Sequence, residues 1–197
     1  MDANTSAALR EGVRNAYSAA ALEPEGKHPF PVGEAFAASL GYPEAFLRES
    51  PAQAVASFAG VANVSCFAPL TPGMRVLDLG CGSGLDSCIA ARRIGSDGAT
   101  VAVDFSLEML RRARRATAGS GERILFLQAS AEQLPLPDAS IDAALANGIF
   151  NLNPDRQPVF RELARVLRPG ATLAGAELIL KEPVPVPENP SPESWFS

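Results

Sequence analysis

The residues whose types and spacing suggest chemistry begin at Asp78, which ends an apolar run and precedes three glycines. Gly80, Gly82 and Gly84 occupy alternate positions, and a helical pattern follows them directly. Such an apolar run is typical of a parallel strand that is covered on both faces. A glycine loop lets the backbone approach a ligand closely, and the next helix offers unpaired N–H groups and the positive end of its dipole. The stretch therefore predicts a nucleotide or nucleoside site at the end of a buried strand.

The glycine spacing narrows the choice of ligand. A dinucleotide-binding loop has the pattern Gly-x-Gly-x-x-Gly, whereas the glycines here follow Gly-x-Gly-x-Gly, which disfavours a nicotinamide-dependent oxidoreductase. Asp104 lies 20 residues after Gly84 and ends a second apolar run. A carboxylate at such a strand end can accept both hydroxyls of a ribose, at about 1.5–3 kcal/mol for each charge-assisted bond. The alternative is that Asp104 only caps the following helix.

The composition excludes several classes of function. A formal net charge of −5 and a pI near 5.0 argue against a nucleic-acid-binding protein. No apolar run approaches the roughly 20 residues that span a bilayer, and the first residues do not resemble a signal peptide. The three cysteines are odd in number and dispersed, which favours a reducing cytoplasm, and the single histidine disfavours a zinc cluster.

The elements that must position these residues alternate from residue 74 onwards. Apolar runs alternate with helical patterns, which predicts right-handed βαβ crossovers and a doubly wound, mostly parallel, Rossmann-like α/β sheet. Ser106 is expected to cap the helix that follows the second strand. The predicted strands are 74–78, 99–103, 124–127, 140–146 and 171–180, and helices are predicted over 85–94, from 106 onwards and over 158–167.

Three regions are predicted along the chain: an N-terminal helical cap or lid over 1–70, an α/β core over 71–182 and a proline-rich tail over 183–197. The tail prolines cannot pair inside a sheet. The cap either covers the sheet as a plain helical layer or forms a lid that builds a substrate pocket. Its predicted helices are 2–22, 33–40, 43–48 and 52–58, with Ser50 as the N-cap of the last.

Taken together, the core motifs resemble the class I S-adenosylmethionine (SAM)-dependent methyltransferases. The resemblance implies SAM as cofactor and a small-molecule methyl acceptor, while the composition disfavours nucleic acid and membrane as partners. It also implies a helix and a strand pair after the fifth strand, which are expected to be missing here, so the chain is either a fragment or has its sheet edge covered otherwise. The segments that carry the resemblance are Val76–Gly84, Val101–Asp104, Ser106–Arg114, Ala131–Asp142 and Arg165–Gly170.

The resemblance also implies where SAM is bound. The glycine loop would approach the amino-acid part, Asp104 would hold the ribose, and Phe105 or Met109 would flank the adenine. Asn147 would contact the methionine end. Ser130 stands where the family often has Asp, so adenine recognition is expected to be weaker or to rest on backbone groups. The predicted cofactor-binding residues are Asp78, Gly80, Cys81, Gly82, Gly84, Asp104, Phe105, Met109, Ser130, Ala131 and Asn147.

A narrower resemblance concerns segments 40–43, 57–63 and 147–155, which are similar to the arsenite methyltransferase group. Those enzymes bind trivalent arsenic through cysteine thiolates, which are soft ligands for a soft centre. Two of the expected cysteine positions hold Val61 and Gly148 instead, which disfavours arsenic chemistry. The alternatives to a small-molecule methyltransferase are a non-catalytic SAM-binding or scaffold protein and an arsenite methyltransferase relative.

No catalytic residue and no metal site is predicted. Methyl transfer from a sulfonium depends mostly on proximity and orientation, and it needs a general base only when the attacking atom carries a proton. His28 is the first candidate for such a base, and Tyr17, Tyr42 and Glu177 are weaker candidates. An unpaired sheet edge would favour association, so a homodimer is also considered.

Overall fold

Five parallel strands form the sheet in this computed structural model, which describes residues 3–179 and 181. Their spatial order is β3-β2-β1-β4-β5, and every neighbouring pair runs parallel. The strand order reverses between β1 and β4, and the crevice at such a reversal is where open α/β sheets bind ligands. The predicted α/β sheet is thus confirmed. The strands are β1 Arg75–Leu79, β2 Ala99–Asp104, β3 Ile124–Gln128, β4 Ile141–Asn147 and β5 Leu167–Ala176.

Eight helices accompany the sheet within these described residues. Ser106 caps α7 as predicted, because its hydroxyl oxygen accepts the Met109 N–H at 3.3 Å. Gly84 precedes α6 in a left-handed conformation with φ 90°. The helices are α1 Ala3–Leu22, α2 Glu34–Ser39, α3 Glu44–Glu49, α4 Ala52–Ala56, α5 Val64–Phe67, α6 Leu85–Ile94, α7 Leu107–Ala116 and α8 Gln157–Val166.

The fifth strand begins earlier than predicted. Helix α8 leads directly into Leu167, so residues 168–170, which separate the predicted helix 158–167 from the predicted strand 171–180, lie inside β5. The pairing with β4 changes register there: Ile141 faces Leu167, whereas Ala143 faces Thr172. This bulge accommodates Gly170 at φ 83°, so the turn residues interrupt the ladder without ending the strand.

The core lies on both faces of the sheet because alternate side chains of the buried strands point to opposite sides. Leu77 and Leu79 pack with α8 on one face. Val76 and Leu145 pack with α5 and α6 on the other. Each fully buried aliphatic side chain of this size contributes about 1.5–3 kcal/mol, so these two layers hold the strand ends in place.

Two details of the cap differ from the sequence predictions. The Ser50 N-cap is wrong: its hydroxyl donates to the Phe46 carbonyl at 2.7 Å and ends α3, while Pro51 precedes α4 without a side-chain cap. Helix α5 was not predicted, because four residues are too few to show a period. No helix in the part of the chain described here is long and apolar enough to cross a bilayer. The predicted tail over 183–197 and any later strand pair lie outside the described residues.

Candidate functional site

A cavity of about 520 Å³ opens at the carboxyl ends of β1, β2 and β4. Its volume is within the range of small-molecule and cofactor sites. The glycine loop and the ends of β1 and β2 form one wall. Helix α1, residues 57–60 and residues 147–153 form the other. Every predicted cofactor-binding residue lines this cavity except Gly84, whose added Cβ would lie 3.2 Å from the Ala113 Cβ, so it allows α7 to pack closely.

The glycine loop is shaped by two left-handed residues, Gly80 at φ 74° and Gly82 at φ 51°. The N–H groups of Gly80 and Cys81 donate to the Val103 carbonyl at 2.8 and 3.0 Å, which ties the loop to β2. A Cβ on Gly80 would lie 2.3 Å from the Ile149 Cγ2, whereas a Cβ on Gly82 would meet nothing within 4 Å. Gly82 therefore borders open space, where a ligand can approach the backbone.

Asp104 holds the loop with its carboxylate at the edge of the cavity. One oxygen accepts the Gly82 N–H and the other the Ser106 N–H, both at 2.8 Å. Each oxygen keeps a further lone pair, so two acceptor positions remain for a ligand. Burial raises the pKa of Asp104 to about 6. The carboxylate thus fixes the glycine loop and the residue before α7, while the cap of α7 itself is Ser106.

Asp78 is buried at the end of β1, beneath the loop. The Ser87 hydroxyl donates to its carboxylate, and no basic side chain among the described residues pairs with it. Burial, and then the negative charge of Asp86, raise the pKa of Asp78 to about 8. A positively charged group bound nearby would favour the ionised form.

A buried hydrogen-bond network, not predicted from sequence, joins the cap to β4. The Asn147 side-chain oxygen accepts the N–H groups of Val61 and Ala62 at 2.8 and 3.1 Å. Its amide nitrogen donates to Asp86 at 2.8 Å and to the Ala62 carbonyl at 2.7 Å. Asp86 also accepts the Tyr42 hydroxyl at 2.7 Å. The amide of Asn147 is thus fully engaged, so it shapes the cavity wall and has no free group for a ligand.

Helix α1 covers the open side of the cavity. Its Tyr17 lines the cavity and stacks on Phe30 with ring centroids 4.4 Å apart. Burial raises the pKa of Tyr17, so the phenol is neutral at ordinary pH. Arg10 pairs with Glu132 at 2.5 Å, and both residues line the cavity. This ion pair joins α1 to the segment that follows β3.

The other candidate bases lie elsewhere. The imidazole Nε2 of His28 is 2.8 Å from the Glu23 backbone oxygen, and His28 does not line the cavity. Glu177 accepts the Phe150 and Asn151 N–H groups, and so holds the loop after β4. Burial raises the pKa of Glu177.

Comparisons with known proteins identify the domain. A family model described as a methyltransferase domain matches residues 76–170. The crystal structure of an arsenic(III) SAM methyltransferase from Chlamydomonas reinhardtii superposes with a TM-score of 0.55 at 31% identity, over 75% of this chain and 49% of that one. The chain contains a class I SAM-dependent methyltransferase domain. SAM is therefore the cofactor that the family implies, in agreement with the sequence prediction.

Curated relatives of this methyltransferase domain act on different acceptors. An arsenite methyltransferase of Halobacterium salinarum is 37% identical over 136 residues, 68% of this chain and 35% of that protein. The 27-O-demethylrifamycin SV methyltransferase of Amycolatopsis mediterranei is 39% identical over 114 residues, 57% of this chain and 41% of that protein. The chain thus spans less than half the length of these relatives.

The residues present fit SAM better than they fit arsenic. Open space at Gly82 and the free acceptor positions of Asp104 suit a ribose. The carboxyl group of Asp78 has a hydroxyl donor but no basic partner among the described residues, which suits a cationic amino-acid group. Of the three cysteines, Cys81 alone lines the cavity. Its thiol is buried beside Phe126, and this burial raises its pKa well above the usual range. The described residues therefore provide no group of thiolates for a trivalent arsenic centre.

Proposed function

We propose that this protein transfers the methyl group of SAM to a small organic molecule. The observation that carries the proposal is the placing of the glycine loop and Asp104 at neighbouring strand ends, facing one cavity of about 520 Å³. SAM supplies a methyl group that is already activated by its sulfonium. The protein's part is then to hold donor and acceptor in line and to exclude water.

We infer the cofactor contacts from the positions of the lining residues. Asp104 would accept the two ribose hydroxyls through its remaining lone pairs. Phe105 and Met109 would border the adenine, with Ser130 and Ala131 along its edge. The backbone at Gly80, Cys81 and Gly82 would border the amino-acid part, with Asp78 beneath it. Asn147 would act indirectly, by holding the wall of the cavity.

We further propose that residues 1–70 act as a lid, with α1 and residues 57–60 completing the acceptor side. Arsenite methylation is the weaker candidate, because Cys66 and Cys88 do not line the cavity and Cys81 is buried as a thiol. A cytoplasmic location, a homodimer and the absence of nucleic-acid binding stay predictions. Light scattering and a nucleic-acid titration test the last two.

Calorimetric titration with SAM tests the cofactor site. The Asp104→Ala variant should bind SAM at least roughly a hundredfold more weakly than the native protein does. It loses two charge-assisted hydrogen bonds, and each contributes about 1.5–3 kcal/mol. Asp97→Ala, at the exposed opposite end of β2, is the matched control and should bind as the native protein does. A native protein that does not bind SAM would refute the proposal. Binding of SAM without turnover of any acceptor would favour the non-catalytic alternative.

A further inference from the structure

Three of the carboxyl groups that line the cavity pair with no basic side chain among the described residues. Asp78, Asp86 and Asp104 all line it, and hydroxyl, amide and backbone N–H groups are their hydrogen-bond donors. The two arginines of the lining, Arg10 and Arg14, form ion pairs with other carboxylates. They pair at the mouth of the cavity with carboxylates of residues 132 and 11.

The acceptor side offers little to an anion. Next to it, four backbone N–H groups that could bind a carboxylate or a phosphate already donate to protein oxygens. Those of residues 61–62 donate to Asn147, and those of residues 150–151 donate to Glu177. An anionic acceptor would have to displace these bonds to use the four groups, and an unpaired buried charge is costly.

The same side offers apolar contact and aromatic rings. Val13 and Tyr17 of α1 face the cavity together with Phe58, Ile149 and Leu152. Phe58 is buried and held edge-on against Tyr42, with ring centroids 5.0 Å apart. Aromatic faces attract cations, most strongly where water is excluded. A flat apolar body with a positive charge is thus complementary to both the wall and the carboxylates.

Resting on the proposed methyl transfer, we propose that the acceptor is a neutral, flat and mostly apolar molecule that attacks through a nitrogen or sulfur lone pair, as a heteroaromatic or tertiary amine or a thioether does. The lone pair forms a bond to the methyl carbon, and the carbon–sulfur bond of SAM breaks with its electron pair going to sulfur. The products are S-adenosylhomocysteine and a methylated cation, and no proton is released. The positive charge stays in a cavity that stabilises it, and no general base is needed.

Three bicyclic probes of similar shape test this charge preference. They are 2-methylisoquinolinium, which is a cation of the expected product class, its uncharged isostere 2-methylnaphthalene, and the anion 2-naphthoate. Each is titrated against the complex of the full chain with S-adenosylhomocysteine. We expect the cation to bind at least tenfold more tightly than the neutral isostere, and the anion most weakly. Asp78→Asn should reduce the preference for the cation at least threefold, whereas Asp97→Asn should leave it unchanged.

The outcomes separate this inference from the function on which it rests. Failure of SAM and S-adenosylhomocysteine to bind overturns both. The acceptor class alone is overturned if SAM binds normally but the cation is not preferred. Binding of 2-naphthoate as tightly as 2-methylisoquinolinium would be one such result. A preference for the cation that Asp78→Asn leaves intact contradicts the assignment to the strand-end carboxylates. Should that variant fail to bind S-adenosylhomocysteine, the ranking of the three probes on the native protein decides the question.

Discussion

Gly80 and Gly82 share a left-handed backbone but need glycine for different reasons. At Gly80 a Cβ would lie 2.3 Å from the Ile149 Cγ2, so the space is closed by packing. At Gly82 a Cβ would enter the cavity without touching protein. The first glycine therefore serves the stability of the loop, and the second serves the approach of the ligand.

Alanine at each position should separate these two effects. Gly80→Ala should lower the free energy of unfolding by about 1–2 kcal/mol, because alanine disfavours the left-handed backbone, and by about 1–3 kcal/mol more, because its Cβ overpacks the site. Gly82→Ala carries the backbone cost alone but should weaken SAM binding about tenfold or more, because its Cβ occupies ligand space. Urea unfolding and calorimetry measure the two. Ile149→Ala should cost less stability in the Gly80→Ala background than in the native or the Gly82→Ala background, because it also relieves the overpacking. Equal costs in all three backgrounds would contradict the packing argument.

Asp78 should make the stability of the ligand-free protein depend on pH. Its folded pKa of about 8 lies above the unfolded value of roughly 3.9, so the folded state holds the proton more tightly. The free energy of unfolding should thus fall as pH rises toward 8, by at most about 1.4 kcal/mol per pH unit. Asp104, with a pKa of about 6, adds to this fall mainly below pH 6.

The window from pH 6 to pH 8 isolates Asp78. Asp78→Asn keeps the shape of the side chain and can still accept from Ser87, but it does not titrate. Its denaturant midpoint should change less than that of the native protein over this window. A slope as steep as in the native protein would show that another group is responsible.

Among the elements, α1 is held by hydrogen bonds at its C-terminal end and by one ion pair near its N-terminal end. The Ser18 and Ser106 hydroxyls are hydrogen-bonded at 2.9 Å, and Arg112 donates to the Ala21 carbonyl at 2.9 Å. Toward its start, the Arg10–Glu132 pair joins the helix to the far side of the cavity. This arrangement suits a cover that opens from one end.

Reversing one charge of this pair should speed the release of the cofactor. A partly exposed ion pair contributes about 0.2–1 kcal/mol, and Arg10→Glu replaces it with a repulsion between two carboxylates, so the dissociation rate of SAM should rise severalfold. The double variant Arg10→Glu with Glu132→Arg should return toward the native rate. A chase of radiolabelled SAM with unlabelled SAM measures these rates. Arg48→Glu, which breaks an exposed pair on α3, is the control and should leave the rate unchanged.

Short sequence patterns predicted the helices and strands wherever the structure of a segment is determined by its own residues. The strands and crossover helices around the glycine loop follow from apolar runs and breakers, and the Ser106 cap follows from its position. The start of β5 could not be predicted, because its bulge at Gly170 depends on pairing with β4. Helix α5 has too few residues for a period.

The candidate site shows the same division. Asp104 and the glycine loop were identified because they lie in one short stretch of chain. The engagement of Asn147 and the importance of Asp86 were missed, since both depend on Tyr42 and on residues 61–65, which are distant in sequence. The buried carboxylate after the third glycine was a usable signal, but its partners appear only once the cap is packed.

At the scale of the whole molecule, the described part of the cap, residues 3–70, has no core of its own. Tyr42, Leu47 and Phe58 form one cluster with Leu85 and Ile89 of α6. Val64 and Leu70 join the sheet through a second cluster, and Ala20 and Ala21 contact Met109 in a third. Residues 3–70 thus precede the α/β core in sequence, but their buried apolar side chains pack in clusters that they share with that core.

The shared clusters predict that cap and core unfold together. Hydrogen exchange followed by mass spectrometry, across a series of urea concentrations, should give the same midpoint for peptides from α2–α4 as for peptides from β1 and β4. Saturating SAM should raise both midpoints equally, because a ligand that binds only the folded state stabilises the whole cooperative unit, by about 2.7 kcal/mol at a hundred times its Kd. Exchange of the α2–α4 peptides at a lower midpoint, unaffected by SAM, would instead show that residues 1–70 form an independent lid.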